Sequence, residues 1–455
     1  MTGGASVREP VAASTRIDHA SILRLRSERL PVGTKGLPLG DRGDWTIDAI
    51  AEAGWNVLDG KLPLPLLTVS ESALSHNIAT MAAYCRERDV LLAPHGKTTM
   101  APQLFERQIA AGCWAMTAAT PSHLSLYRAF GIGRILYANE LVEEAALRWL
   151  ASELNRDDDF DFYCLVDSTE GVARMTAVLE RERPRTPVNV LIEIGHAGGR
   201  SGCRSLDDVD AVADAVLRSP SLRLAGVEAF EGTIDESVTS TRSNDGTEAS
   251  ETVDALLGRL ATAVRTLTRR GVLDAERQIL VSAGGSAFFD LVVDALTPLR
   301  SDLPLLQLVL RSGSYVVHDG GYYARTSPFG RRVPSGSGGL EAALELWAVV
   351  LSRPEPELAI VGAGKRDLPI DMGPPVPTRV WRAGSGLQPL SAARVRVSGV
   401  SDQHVHLRVE PDVPLQVGDL CAWTISHPCT AFDKWRLIPV VDDELTIVDA
   451  VRTFF

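Results

Sequence analysis

From about residue 64 to residue 312 the chain alternates short apolar runs, mostly rich in branched residues, with longer amphipathic stretches, and this alternation admits few folds. The runs are PLLTV, VLLAP, WAMTAA, RILYAN, FDFYCLVD, VNVLIEI, LRLAGVEAF, QILVSA and LQLVLRSG. Between them, segments such as SALSHNIATMAAYCRERD place Leu74, Ile78, Met81 and Cys85 at helical spacing. SLDDVDAVADAVLRS and ETVDALLGRLATAVRTLTRRG read the same way. Strand and helix in strict alternation imply a parallel sheet covered by helices, and eight such units over about 250 residues suit a closed (β/α)8 barrel of the TIM type. The runs exceed the eight strands of a barrel by one, and the first, at Leu66–Val69, is the candidate for another sheet.

Past about residue 325 the texture changes. SPFGRRVPSGSGG reads as a linker, and the chain beyond it is proline-punctuated and β-like, with ELWAVVLSRP, LAIVGAG, ARVRVSGVSDQHVHLRVEP, DLCAWTIS and KWRLIPVVDDELTIVDAV as its strand-like segments. The expected organisation is an N-terminal extension over 1–60, partly packed on the β domain and with a helix at DHASILRLRSE, then a barrel over 61–325. A mostly antiparallel C-terminal β domain occupies 326–455. DESVTSTRSNDGTEASE, residues 235–251, is polar enough for a mobile loop or lid.

A chain of 455 residues is long enough for two cores, and its hydrophobic content of 45% and charged content of 23% are those of a soluble globular protein. The formal charge of −12 argues against nucleic acid or an anionic membrane as partner. No run approaches the ~20 apolar residues of a membrane span, and Arg8 and Arg16 are not followed by the apolar core of a signal peptide. The expected location is cytoplasmic. Six scattered cysteines without a C-x-x-C pair suggest neither a disulfide framework nor a cysteine-only zinc site.

Catalytic groups in a parallel barrel sit at the C-terminal ends of strands, where VLLAPHGKT delivers His95 and Lys97. A lysine with limited water access has a lowered pKa and forms Schiff bases; the plain alternative is that Lys97 only solvates the next helix. In VLIEIGHAGGRSGCR, glycines surround Arg200, placed to hold a pyridine ring or a carboxylate, or merely to be solvated. ILVSAGGSAFFD sets Gly284, Gly285 and Ser286 before a helix, where backbone N–H groups and the helix dipole receive a phosphate unless this is a plain turn. LRSGSYVVHDGGYY brings Ser314 and Tyr315 to the final strand end. Near the C-terminus ISHPCTAFD carries His427 and Cys429, good zinc donors but two short of a structural tetrahedron; the alternative is a buried cysteine beside a surface histidine. A lysine, a phosphate cradle and a ring-holding arginine together specify pyridoxal phosphate better than any one of them does.

The segments APHGKT, GGRSG, LAGVEAFEG, SAGGS, SGSYVVHD, SDQHVHL and ISHPCTAFD, in that order, resemble the metal-activated D-serine dehydratase / D-threonine aldolase family, alanine-racemase-like enzymes of fold-type III. The match runs over about residues 60–455. The resemblance implies that Lys97 is the Schiff-base lysine of pyridoxal 5'-phosphate, His95 a ring-stacking or supporting residue, and Arg200 a neighbour of the cofactor ring. It assigns Gly284, Gly285, Ser286 and Tyr315 to the phosphate, with Ser314 beside them, and His427 and Cys429 to Zn2+. It further implies that dehydratases pair histidine with cysteine where aldolases use aspartate. Gly96, Thr99 and Phe230 depart from the family's alanine, histidine and tyrosine. The implied enzyme is a homodimeric, zinc-dependent dehydratase (a lyase) that eliminates water from a β-hydroxy D-amino acid, D-serine first, giving a keto acid and ammonia. Rival readings are retro-aldol cleavage, racemisation, a non-catalytic pyridoxal phosphate carrier, and a barrel whose Lys97 is a surface charge.

Overall fold

The computed structural model describes residues 14–39, 44–234, 252–333 and 339–455; the 235–251 loop and much of the PSGSG linker lie outside the described residues. Two helices open the chain, α1 (His19–Ser27) and α2 (Ile47–Glu52), and then strand β1 (Leu66–Ser70) leads into α3 (Glu71–Glu87). Seven strand–helix units come next. They are β2 (Leu91–Leu92) and α4 (Pro102–Ala110), β3 (Met116–Ala118) and α5 (Pro121–Ala129), and β4 (Arg134–Glu140) and α6 (Glu144–Arg156). The remaining four are β5 (Asp161–Val166) and α7 (Thr169–Glu182), β6 (Val188–Ile194) and α8 (Leu206–Arg218), β7 (Leu222–Ala229) and α9 (Val253–Arg269), and β8 (Ile279–Ala283) and α10 (Phe289–Leu296). Strand β9 (Leu306–Leu310) closes the series.

Hydroxyl caps start these helices where the sequence supplies them. Ser70, Thr120, Ser168 and Thr252 each accept an N–H of the first turn, and Ser205 with Asp208 forms a complete capping box on α8. Leu74, Ile78, Met81 and Cys85 are buried along α3, as their spacing predicts.

The eight strands β2 to β9 make one parallel sheet in the order β2-β9-β8-β7-β6-β5-β4-β3. Its edges meet, because His95 bridges to Thr117, Trp114 N–H donates to the Leu92 carbonyl at 2.8 Å, and Thr117 N–H to that of Pro94 at 2.9 Å. The interior is plugged by Leu91, Trp114, Leu136, Tyr163, Leu165, Leu191, Leu280 and Val309. It is a filled barrel, with its C-terminal mouth left for chemistry.

After α11 (Tyr322–Thr326) the chain builds the second sheet from β10 (Leu344–Glu355), β11 (Leu358–Val361), β12 (Val376–Arg382), β13 (Gly386–Pro389), β14 (Val395–Val400), β15 (Val405–Val409), β16 (Leu420–Thr424), β17 (Leu437–Val441) and β18 (Ile447–Arg452). The surplus strand β1 belongs here, antiparallel to β10 and parallel to β17. Helix α2 packs on this sheet through Ile47 and Ile50, while α1 packs beside α5 through Ile22, Leu25 and Phe130. Strands β12 and β13 are new relative to the sequence reading, since prolines 374, 375 and 377 mask them. Pro377, which has no N–H to donate, sits where the β12–β16 register slips.

Trp347, fully buried in the first half of β10, packs under α2 and the N-terminal segment. Trp347→Ala should lower unfolding free energy by about 3–5 kcal/mol, measured by denaturant titration, with the barrel's far-UV signal retained in native buffer.

Candidate active site

Strand β2 pairs over only two residues, and its continuation is held on both flanks until His95, whose N–H donates to the Arg311 carbonyl at 3.2 Å. The chain then turns through a single 3₁₀ turn, Gly96–Thr98, rather than entering a helix directly; α4 begins only at Pro102. This turn lifts Lys97 into the barrel mouth. Burial lowers the pKa of its amine, the nearby Cys429 sulfur opposes that shift, and Arg200 and Arg311 add to it. Among the described residues Lys97 has no carboxylate partner.

The wall of the mouth carries buried charge of both signs. Burial, assisted by Lys97 and Arg311, holds His95 well below the usual histidine range, and its Nδ1 has no hydrogen-bond partner among the described residues. His123, on the first turn of α5, accepts Ala119 N–H on Nδ1 at 3.3 Å and is likewise lowered by burial and by Lys97. Arg200 lies over the Phe230 ring at 4.6 Å. Arg311 forms an ion pair with Glu228, whose pKa burial raises to about 8 against the pull of that arginine. Burial, with Glu193 and Asp167 adding, raises Glu140 to about 9, so one proton is retained by the Glu140–Glu193 pair at neutral pH.

Facing Lys97 from the second sheet is the 3₁₀ turn Pro428–Thr430 after β16. Cys429 Sγ lies 3.3 Å from Ser314 Oγ and 3.6 Å from Thr98 Oγ1. Burial opposes the thiolate, but His427, Ser314 and Thr98 outweigh it and lower the thiol pKa. His427 Nδ1 is 2.6 Å from Asp371 Oδ2. Burial disfavours its charge, yet Cys429 and Asp371 together raise its pKa to about 9. Tyr322 and Tyr323 place their rings 6.3 and 5.9 Å from the imidazole.

Lys97, His95, Arg200, Ser314, His427 and Cys429 thus gather around one mouth. Gly284 and Gly285 are there too, but both amides already donate to the buried Glu231 carboxylate, at 3.2 and 2.5 Å. That places an anion on the nest the sequence reading assigned to phosphate, with Gly285 and Ser286, the next residue toward α10, both half-exposed. Tyr315 is not brought to the mouth. It is buried behind the barrel, its hydroxyl accepting Gln108 Nε2–H at 3.0 Å next to Cys113, because successive residues of the turn Ser314–Val316 point to opposite sides. The sequence reading takes His123 as structural and singles out none of Glu140, Glu193, Glu228, Arg311 and Asp371. Strand alternation was the available signal for Glu193 and Glu228, which are in register on β6 and β7.

A mouth that presents a lysine, exposed at its rim yet partly desolvated at the amine, and that faces an antiparallel domain adding an imidazole and a thiol, defines an alanine-racemase-type barrel joined to a dehydratase-type β domain. The comparisons divide the chain at the same place. The alanine racemase N-terminal domain model matches residues 69–291, and the putative serine dehydratase domain model matches residues 343–441. Over both domains the chain is similar to the D-serine dehydratase / D-threonine aldolase type of alanine-racemase-like proteins. It is 25% identical to the D-threonine aldolase of Arthrobacter sp. over 384 residues, 84% of this chain and 90% of that protein. The crystal structure of D-threonine aldolase from Filomicrobium marinum superposes with a TM-score of 0.68 at 24% identity, covering 86% of this chain and 95% of that one. D-threo-3-hydroxyaspartate dehydratase from Delftia sp. HT23 superposes with a TM-score of 0.65 at 21% identity, covering 86% and 98%. A cysteine-to-alanine form of a D-threo-3-hydroxyaspartate dehydratase has been solved metal-free.

Two outcomes test this geometry. A methyl at Gly96, the alanine of the family pattern, would overlap the Tyr127 hydroxyl. Gly96→Ala should therefore cost about 1–3 kcal/mol, and Gly96→Ala with Tyr127→Leu should recover part of it in thermal melts. Glu140 keeps a proton that the unfolded chain releases near 4.5, so its stabilising contribution is complete below that pH and lost as pH rises through about 9. Wild type should lose more stability than Glu140→Gln between about pH 5 and pH 9; parallel slopes would show that the retained proton is not on Glu140.

Proposed function

We propose that this chain is a pyridoxal 5'-phosphate- and zinc-dependent lyase that deaminates a β-hydroxy D-amino acid, D-serine being the first candidate, to a keto acid and ammonia. The observation that carries the reading is the approach of Cys429, from the β domain, to Thr98 and Ser314 beside Lys97. The residues fit pyridoxal phosphate: among the described residues Lys97, open to the mouth, has no carboxylate partner, and His95 Nδ1 and Arg311 Nε are buried and unpaired. They also fit a zinc ion: Asp371 occupies His427 Nδ1, which leaves Nε2 and the Cys429 sulfur as adjacent nitrogen and sulfur donors. No group of three or more such side chains occurs among the described residues, so water or substrate would complete the coordination.

Bound pyridoxal phosphate acidifies the substrate's α-proton by drawing electrons from that carbon. Bound zinc makes a β-hydroxyl a better leaving group by withdrawing charge from its oxygen. Desolvation lowers the Lys97 amine from its ordinary lysine value, which favours the unprotonated Nζ that could take the α-proton. Arg200, over Phe230, closes one side of the mouth with a fixed positive charge. The Ser314 and Thr98 hydroxyls lie against the Cys429 sulfur and, with His427, lower its pKa. The half-buried tyrosines Tyr322 and Tyr323 shield the imidazole from bulk water.

Retro-aldol cleavage is the second reading, favoured by the aldolase relatives; the thiolate at position 429 supports elimination instead. With D-serine, D-threonine and D-3-hydroxyaspartate, the purified protein should release ammonia and keto acid, lose that activity to a chelator and regain it with zinc. Glycine and an aldehyde in place of ammonia would overturn the dehydratase reading. Lys97→Ala should abolish turnover and the absorbance of the lysine-bound cofactor, and persistence of that absorbance would remove Lys97 from its role.

A further inference from the structure

Asp371 lies in the connection between β11 and β12, 56 residues before His427, and was not a residue that the motifs singled out. Its two oxygens are used separately. Oδ2 is 2.6 Å from His427 Nδ1, and Oδ1 accepts the Thr430 hydroxyl at 2.8 Å. The carboxylate therefore grips the H-P-C-T segment on both sides of Cys429. Thr430 is the last residue of the turn that carries the sulfur, so this contact fixes the turn while the other fixes the ring.

We propose that Asp371 is a positioning residue for the metal pair, acting through His427 and Thr430. A carboxylate on Nδ1 keeps the proton at that nitrogen, which directs the Nε2 lone pair to the side occupied by Cys429. It also opposes rotation of the ring, beside which Tyr322 and Tyr323 stand edge-on and tilted. A site with only two protein donors gains more from such preorganisation than a four-donor site, because each misaligned donor is half of the set. A negative charge one bond beyond the imidazole raises its basicity and hence its affinity for a divalent cation. The inference rests on the proposal that His427 and Cys429 hold zinc.

The test uses full-length, cofactor-loaded protein, stripped of metal and titrated with zinc against a chromophoric chelator and with cobalt(II) to read the sulfur-to-metal charge-transfer band. Asp371→Ala should bind zinc about 10–100-fold more weakly than wild type, with Asp371→Asn between them. Thr430→Val should alter the cobalt spectrum, and excess zinc should restore Asp371→Asn activity. Wild-type zinc affinity and an unchanged cobalt band in Asp371→Ala would overturn the positioning role. His427→Ala separates the two levels: if it binds zinc as wild type does, the metal assignment fails and the inference falls with it. Weakened binding in His427→Ala together with normal binding in Asp371→Ala defeats the inference alone.

Discussion

The hydrogen bonds that close the barrel are the same ones that aim its lysine. Strand β2 contributes Leu91 and Leu92 to pairing with β9, and everything beyond depends on the next three residues being held from both flanks. On one flank Trp114 and Thr117 donate to Leu92 and Pro94, and Thr117 Oγ1 donates to Ala93 at 2.6 Å. On the other, Ala93 and His95 donate to Leu310 and Arg311. Pro94, which has no N–H, falls where only its carbonyl is used. Gly313 completes the join, since a Cβ there would stand 2.5 Å from the His95 carbonyl. Loss of any of these contacts would loosen the barrel seam and move Lys97 together, so stability and chemistry are not separable at this point.

The charges around that seam are set by burial. A buried ion without a partner is costly, and each ionisable group at the mouth meets the cost in a different way. Glu228 and Arg311 pair with each other, Glu140 keeps its proton beside Glu193, and His427 stands between a carboxylate and a sulfur. Lys97 has no carboxylate among the described residues, and desolvation lowers its pKa from the ordinary lysine value. The result is an amine and a thiol on facing domains, each shifted downward from its ordinary pKa.

The alternation of runs and helices fixed the barrel in advance because a parallel sheet buried on both faces leaves a strong apolar signature, and the surplus run marked β1 as foreign to it. Lys97, His427 and Cys429 were legible as motif residues at element ends. Tyr315 was misplaced because a motif gives order along the chain and not direction; the turn after β9 sends Ser314 to Cys429 and Tyr315 to Gln108. Glu231 stands in the LAGVEAFEG segment, but its role was not legible: its partners are the amides of residues 284 and 285, and backbone donors have no sequence signature. Asp371 sits in a proline-rich connection that carries no periodic pattern, so only the folded chain shows which histidine it meets.

The three departures from the family pattern have separate local settings. At Gly96 the missing methyl's space is filled by Tyr127, whose hydroxyl donates to the Thr117 carbonyl at 3.1 Å and so props the same strand that closes the barrel. Phe230 lacks a hydroxyl, and its ring instead receives Arg200 on its face and lies against Gly285, so an arginine and a glycine turn are stacked on one aromatic plane. Thr99 is buried, and its hydroxyl finds no partner among the described residues. A histidine ring there would need room that the enclosed position lacks. Two of the changes therefore exchange polar reach for packing on the barrel side of the mouth, while the β-domain side keeps its imidazole, thiol and carboxylate. The selectivity of such a site for its substrate would be set where those polar groups remain, at the β-carbon that faces them.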